Sequence, residues 1–230
     1  MTLFSYTSNS AIACISSWSI RVPAVFGPAA HDSFRLFIWA VAIMGFVPTM
    51  AGAVPLPDPA PGTSFVDVAI TGTTAAARPE LGGVVVKDVL TPYDFSGTGG
   101  VLKGMVQNRV VRSDADGTFD FYWRIRPDAS STGDIIAFRV SGFDAFPLDA
   151  DWRSDGLGVA APDTARHLGS GSVNFLFPNH RGGQLEDRSS RFFFLDTVAT
   201  QYAMTGKYDM ACADTGCISP SFSTFAPVQA

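Results

Sequence analysis

The sequence predicts an all-β protein, an antiparallel β-sandwich of jelly-roll type, and three observations carry that expectation. Residues 101–127 read as two strands of period two joined by an acidic turn. About eight short apolar runs, separated by Gly-, Pro- and Asp-rich turns, follow one another along the chain. After residue 54 no helical period is sustained over about ten residues.

Taken in order, the chain begins with a targeting pattern. Arg35 precedes the uncharged run Leu36 to Phe46, which is followed by Ala51-Gly52-Ala53. A basic residue, a short apolar core and a small-x-small site make a secretory signal peptide with cleavage after Ala53. The run is shorter than the ~20 apolar residues of a membrane-spanning helix. Residues 1–33 carry Pro23, Pro28 and Ser-rich patches without periodicity, as an extended leader or an upstream start site would. Residues 1–53 are therefore expected to be leader, 54–64 (VPLPDPAPGTS) a proline-rich linker, and 65–230 the sandwich.

Within the sandwich, residues 65–70 and 84–90 are expected strands. The central hairpin places Leu102, Val106 and Val110 opposite Lys103, Gln107 and Arg109 in orientation. Its second arm sets Phe119, Phe121, Trp123 and Ile125 inward, and Asp120, Tyr122, Arg124 and Arg126 toward water. Asp114-Ala115-Asp116-Gly117 supplies the turn, since Asp and Gly tolerate positive φ. Residues 135–143, 173–177 and 192–195 are further strands, and 144–166 is expected to be irregular because Pro147, Gly156, Gly158 and Pro162 interrupt it.

Composition narrows the function classes. A net charge of −5, with no cluster of Lys and Arg, argues against a nucleic-acid partner. The mature chain retains Cys212 and Cys217 in CADTGC; two cysteines around a Gly-containing loop suit a disulfide in an oxidising compartment. The rivals are a metal site or redox pair, but four intervening residues match neither C-x-x-C nor a zinc knuckle.

The candidate ligand-binding residues are Trp152 with Asp149, Asp151 and Asp155. An indole face and neighbouring carboxylates can hold a sugar by stacking and hydrogen bonding; consecutive Asx turns around a packed Trp explain the same residues. Asp114 and Asp116 are candidate calcium ligands, although the twelve-residue calcium loop fails after its second Asp, and turn chemistry accounts for both. His167 and His180 fall in no metal spacing, Gly169-Ser170-Gly171-Ser172 lacks the G-x-S-x-G elbow, and the glycines of 97–104 match no phosphate loop. The expectation is a non-enzyme with no cofactor other than a possible calcium ion.

The succession GMVQNRVVRSDADGTFDFYWRIRPDASSTGDI, SGF, DADWRSDGLGVAAPDTARH, VNFLF and SSRFFFLDTVATQYAMTGKYD resembles the body of exported bacterial proteins that carry a PEP-CTERM sorting signal read by an exosortase-type system. The resemblance covers residues 97–228. Phe225-Ala226-Pro227-Val228 is similar to the lead-in of that signal, but its apolar helix and basic tail do not follow. The resemblance implies a surface-associated protein whose partners are extracellular polysaccharide or cell-surface components; the missing tail points instead to simple secretion or the periplasm, with no membrane span expected in the mature chain. A structural or interaction role is expected, with a carbohydrate-binding, lectin-like module as the alternative.

Overall fold

The computed structural model describes residues 53–97, 100–177, 189–213 and 217–229. The expected leader up to residue 52 lies outside the described residues, as does His180.

Among the described residues the chain forms twelve strands: β1 (Val54–Pro55), β2 (Val66–Ala69), β3 (Gly83–Gly97), β4 (Gly100–Ser113), β5 (Phe119–Pro127), β6 (Ile135–Ser141), β7 (Leu148–Trp152), β8 (Thr164–His167), β9 (Val173–Leu176), β10 (Phe193–Thr197), β11 (Tyr202–Cys212) and β12 (Phe222–Pro227). They build two antiparallel six-stranded sheets. The first has the order β1-β7-β10-β5-β4-β3 and the second β12-β11-β6-β9-β8-β2. The all-β sandwich is thus present. Its pairs β6–β11, β7–β10 and β8–β9 are nested in the sequence. No helix among the described residues is long and apolar enough to cross a membrane.

The central hairpin forms where the alternation places it, with Val110 opposite Phe121 and Val106 opposite Ile125. Its turn closes through Asp116, whose Oδ1 accepts hydrogen bonds from the Thr118 amide at 3.0 Å and hydroxyl at 2.6 Å. Gly117 sits at φ +78°, a conformation open to glycine without strain.

Phenylalanines fill the space between the sheets. Trp123 packs edge-on to Phe143 at 5.8 Å and stacks with Phe193 at 6.2 Å, while Phe138 meets Phe193 at 5.0 Å and Tyr208 at 4.9 Å. Side chains of this size dominate core energetics. One polar chain threads the core: the Trp123 indole donates to Thr224 Oγ1 (2.8 Å), the Thr224 hydroxyl to Asn108 Oδ1 (3.0 Å), and Asn108 Nδ2 to Thr91 Oγ1 (3.1 Å). It ties β5, β4 and β3 of one sheet to β12 of the other. Cys212 and Cys217 form a disulfide, with Cα atoms 5.4 Å apart and both residues buried.

Three expectations differ from what forms. The residues 54–57 expected as linker belong to the fold: Val54 and Pro55 pair with Ala150 and Asp149, Leu56 is buried, and the Pro57 carbonyl meets His167 Nδ1 at 2.9 Å. Proline is admissible there because β1 is an edge strand. The stretch 144–166 contains β7 and all but the last residue of β8, whose short runs between Pro and Gly escape a periodicity reading. The outward face of β5 is dry rather than wet: Asp120, Tyr122 and Arg124 are all buried, because another segment lies over the sheet.

Candidate functional site

The outer face of the first sheet carries the most unusual chemistry. Side chains directly opposite on neighbouring antiparallel strands share a face, so the pairings Asp151–Phe194, Phe194–Tyr122 and Tyr122–Arg109 lay one row across β7, β10, β5 and β4. Asp149 and Asp196 pair in the adjacent row, and Asp120 lies opposite Val111. The hairpin and its neighbours thus set Asp120, Asp149 and Asp196 close together on a face that also carries Asp151 and Arg109.

Residues 70–82 roof this face. The Gly72 amide donates to Asp151 Oδ1 at 2.8 Å, the Thr73 amide to the Trp152 carbonyl at 2.9 Å, and the Ala75 amide to Asp155 Oδ2 at 3.1 Å. A 3-10 turn at Pro79–Leu81 then sinks Leu81 against Val111, Tyr122, Phe192 and Phe194, a second apolar cluster separate from the main core.

Arg78 brings the cation the aspartates lack. Its Nη2 lies 2.7 Å from Asp196 Oδ2 and 3.9 Å from Asp149 Oδ2, and its Nε lies 2.7 Å from Glu80 Oε1. Among the described residues Asp120 forms no ion pair with a cation; Arg78 acts on it only through space. Burial, the neighbouring Asp196 charge and a hydrogen bond with that carboxyl push Asp120 up to about 9. It is the protonated member of the pair at neutral pH. Burial raises Asp196 as well, while Asp120 and Arg78 pull it back. Asp120 Oδ2 and Arg78 Nη1 are buried with no hydrogen-bond partner. Asp120 is only 1% exposed, whereas the Asp149 and Glu80 side chains keep about a third of their surface, and the cluster's ion pairs fasten the roof to the sheet.

Beside the roof a recess of about 280 Å³ opens to solvent, lined by Arg109, Val111, Tyr122, Arg153, Asp155 and Phe192, with Leu157 at its rim. Arg109 lies over the Phe192 ring at 4.5 Å and pairs with Asp88 at 2.6 Å. Arg153 pairs with Asp155 at 2.7 Å and donates through Nη1 to the Leu81 carbonyl at 3.1 Å. Tyr122 lies on the floor, its hydroxyl buried beside the Arg153 guanidinium.

No family model, curated protein or solved structure matches the chain.

The structure places the sequence-predicted residues as follows. Trp152 packs against the main core, its ring beneath Gly72; a Cβ at Gly72 would lie 2.5 Å from that ring, and φ there is +86°. The Arg191 guanidinium lies over the indole at 5.3 Å. Asp151 holds the Gly72 amide, Asp149 faces Arg78, and Asp155 pairs with Arg153. The four are neighbours in space, yet Asp149 and Asp151 point to the opposite sheet face from Trp152, and only Asp155 lines the recess. Asp116 is engaged with Thr118, and among the described residues no three His, Cys, Asp or Glu side chains are grouped to hold a metal.

Arg78, Asp120 and Asp196 were not legible as a unit from the sequence. A signal for two of them exists: Asp120 in FDFYW and Asp196 in FFFLDT are single acids inside apolar strands, and a buried acid demands a partner.

Proposed function

We propose that the chain is an exported β-sandwich of the cell surface or extracellular matrix, with a structural or interaction role and no catalysis. The observation that carries this reading is the Cys212–Cys217 disulfide, because such bonds persist outside the reducing cytoplasm. The signal-peptide pattern ending at Ala53 supports it, since cleavage there would leave Val54, the first residue paired in the sheet, at the start of the mature chain. The resemblance of residues 97–228 to the bodies of PEP-CTERM proteins supports the same compartment, and the nested strand pairs support a jelly-roll form of the sandwich.

A role without catalysis is supported by how the acidic side chains are used: Asp120, Asp149, Asp151 and Asp196 fasten a roof rather than face a cleft. Protease shaving of intact producing cells tests the placement. Peptides of residues 65–230 are expected in the shaved fraction or the medium, and their confinement to the lysate would refute the proposal.

A second reading, a carbohydrate-binding module, is favoured by the recess with its aromatic floor and Asp155–Arg153 rim. Retention on a glycan array, with and without a chelator, tests it and decides whether calcium takes part.

A further inference from the structure

Resting on the carbohydrate-binding reading, we infer that the recess bordered by Arg109, Arg153 and Tyr122 takes a single acidic sugar unit, a hexuronate of an anionic polysaccharide. Its volume, about 280 Å³, lies just below the ~300 Å³ at which clefts for drug-sized ligands begin, so it accommodates one ring rather than a chain.

The donors of the lining select the ligand. Arg109 and Arg153 each carry a carboxylate partner, Asp88 and Asp155, so selection rests on the guanidinium donors these pairs leave over. The bonds from Arg109 to Asp88 use Nε and Nη2, so the Nη1 donors remain for a ligand carboxylate, which a guanidinium matches in geometry. Asp88 does not line the recess and holds Arg109 in place from outside it.

The apolar part of the wall suits a sugar: Val111, Phe192 and the rim residue Leu157, 67% exposed, present apolar surface to the C–H face of a pyranose. Trp152 has no part in this site.

Titration calorimetry of the mature chain with oligogalacturonate and with the uncharged oligogalactoside tests the inference. Wild type is expected to bind the acidic oligomer in preference, with affinity falling as salt is raised. Arg109→Gln should weaken that binding at least about tenfold. Leu157→Glu, at an exposed rim position where folding is indifferent to the change, should weaken it similarly through like charge with an unaltered melting midpoint. Equal binding of the two oligomers would overturn the acidic assignment while leaving a sugar-binding module in place. Binding of the acidic oligomer unaffected by both variants would overturn the assigned recess, and no binding of either oligomer would remove the carbohydrate reading together with the inference.

Discussion

Arg78 reaches Asp196 with a 2.7 Å contact across 118 residues of sequence, and in doing so fixes residues 70–82 over the outer face of the first sheet. The contact matters because the strands beneath place Asp120, Asp149 and Asp196 side by side. Like charges so arranged repel unless a cation or a retained proton intervenes. Here both occur: Arg78 serves Asp196, Asp149 and Glu80, while Asp120 keeps its proton.

Removing the cation should therefore be severe. Arg78→Ala leaves the partly buried Asp196 and Asp149 carboxylates uncompensated and is expected to destabilise the domain by about 2–4 kcal/mol, between an exposed pair and a fully buried one. Urea denaturation measures this, and limited proteolysis should show earlier cutting within residues 70–82. A loss below about 1 kcal/mol, in the range of an exposed ion pair, would contradict the role given to Arg78.

The carboxyl pair fixes a pH dependence with a definite sign. Asp120 is raised to about 9 in the folded chain against an ordinary carboxylate near 4. Between these values the folded state holds a proton that the unfolded state has released, so stability falls as pH rises through that window. Carboxylates held low, such as Asp116 and Asp155, act oppositely, but only below the ordinary carboxylate range. The melting midpoint should thus be higher at pH 5 than at pH 8, and Asp120→Asn should flatten the difference, on the order of a few kcal/mol. A wild-type midpoint rising between pH 5 and 8 would contradict this reading.

The sandwich was legible because period-two alternation around Trp123 and the Asp116-Gly117 turn states the hairpin outright. The paired cysteines of CADTGC were legible for a similar reason, being few and close. What the pattern could not show was the second covering layer. Alternation marks one face of β5 as apolar, and Asp120, Tyr122 and Arg124 then look like a wet face. Asp120 and Tyr122 are dry because the segment between the expected strands 65–70 and 84–90 lies over them, and Arg124 because it turns onto the Ser190 carbonyl. The same blindness moved the candidate sugar site to Trp152: an indole flanked by three acids resembles a binding platform, and only the fold reveals that Gly72 and Arg191 lie against its ring.

The threaded polar chain in the core should be sensitive to loss of its middle link. Thr224→Val preserves shape but leaves the Trp123 indole N–H and Asn108 Oδ1 without their partner, an expected loss of about 1–3 kcal/mol. Equilibrium denaturation checks it; a neutral substitution would mean that the chain contributes little to stability.

Trp152→Ala separates packing from recognition. The variant opens a cavity beneath Gly72 and is expected to lose about 3–5 kcal/mol of stability. At a temperature where it remains folded, it should hold any bound sugar as wild type does, because the indole does not line the recess. Selective loss of sugar binding with stability intact would return the site to Trp152.

The proposed export of a disulfide-closed sandwich is tested most directly by intact-mass analysis of the protein recovered from producing cells, with and without alkylation of free thiols. The expected species begins at Val54 and resists alkylation at Cys212 and Cys217 until reduced. A protein found in the cytosol with residues 1–53 still attached and both thiols alkylated would contradict the account.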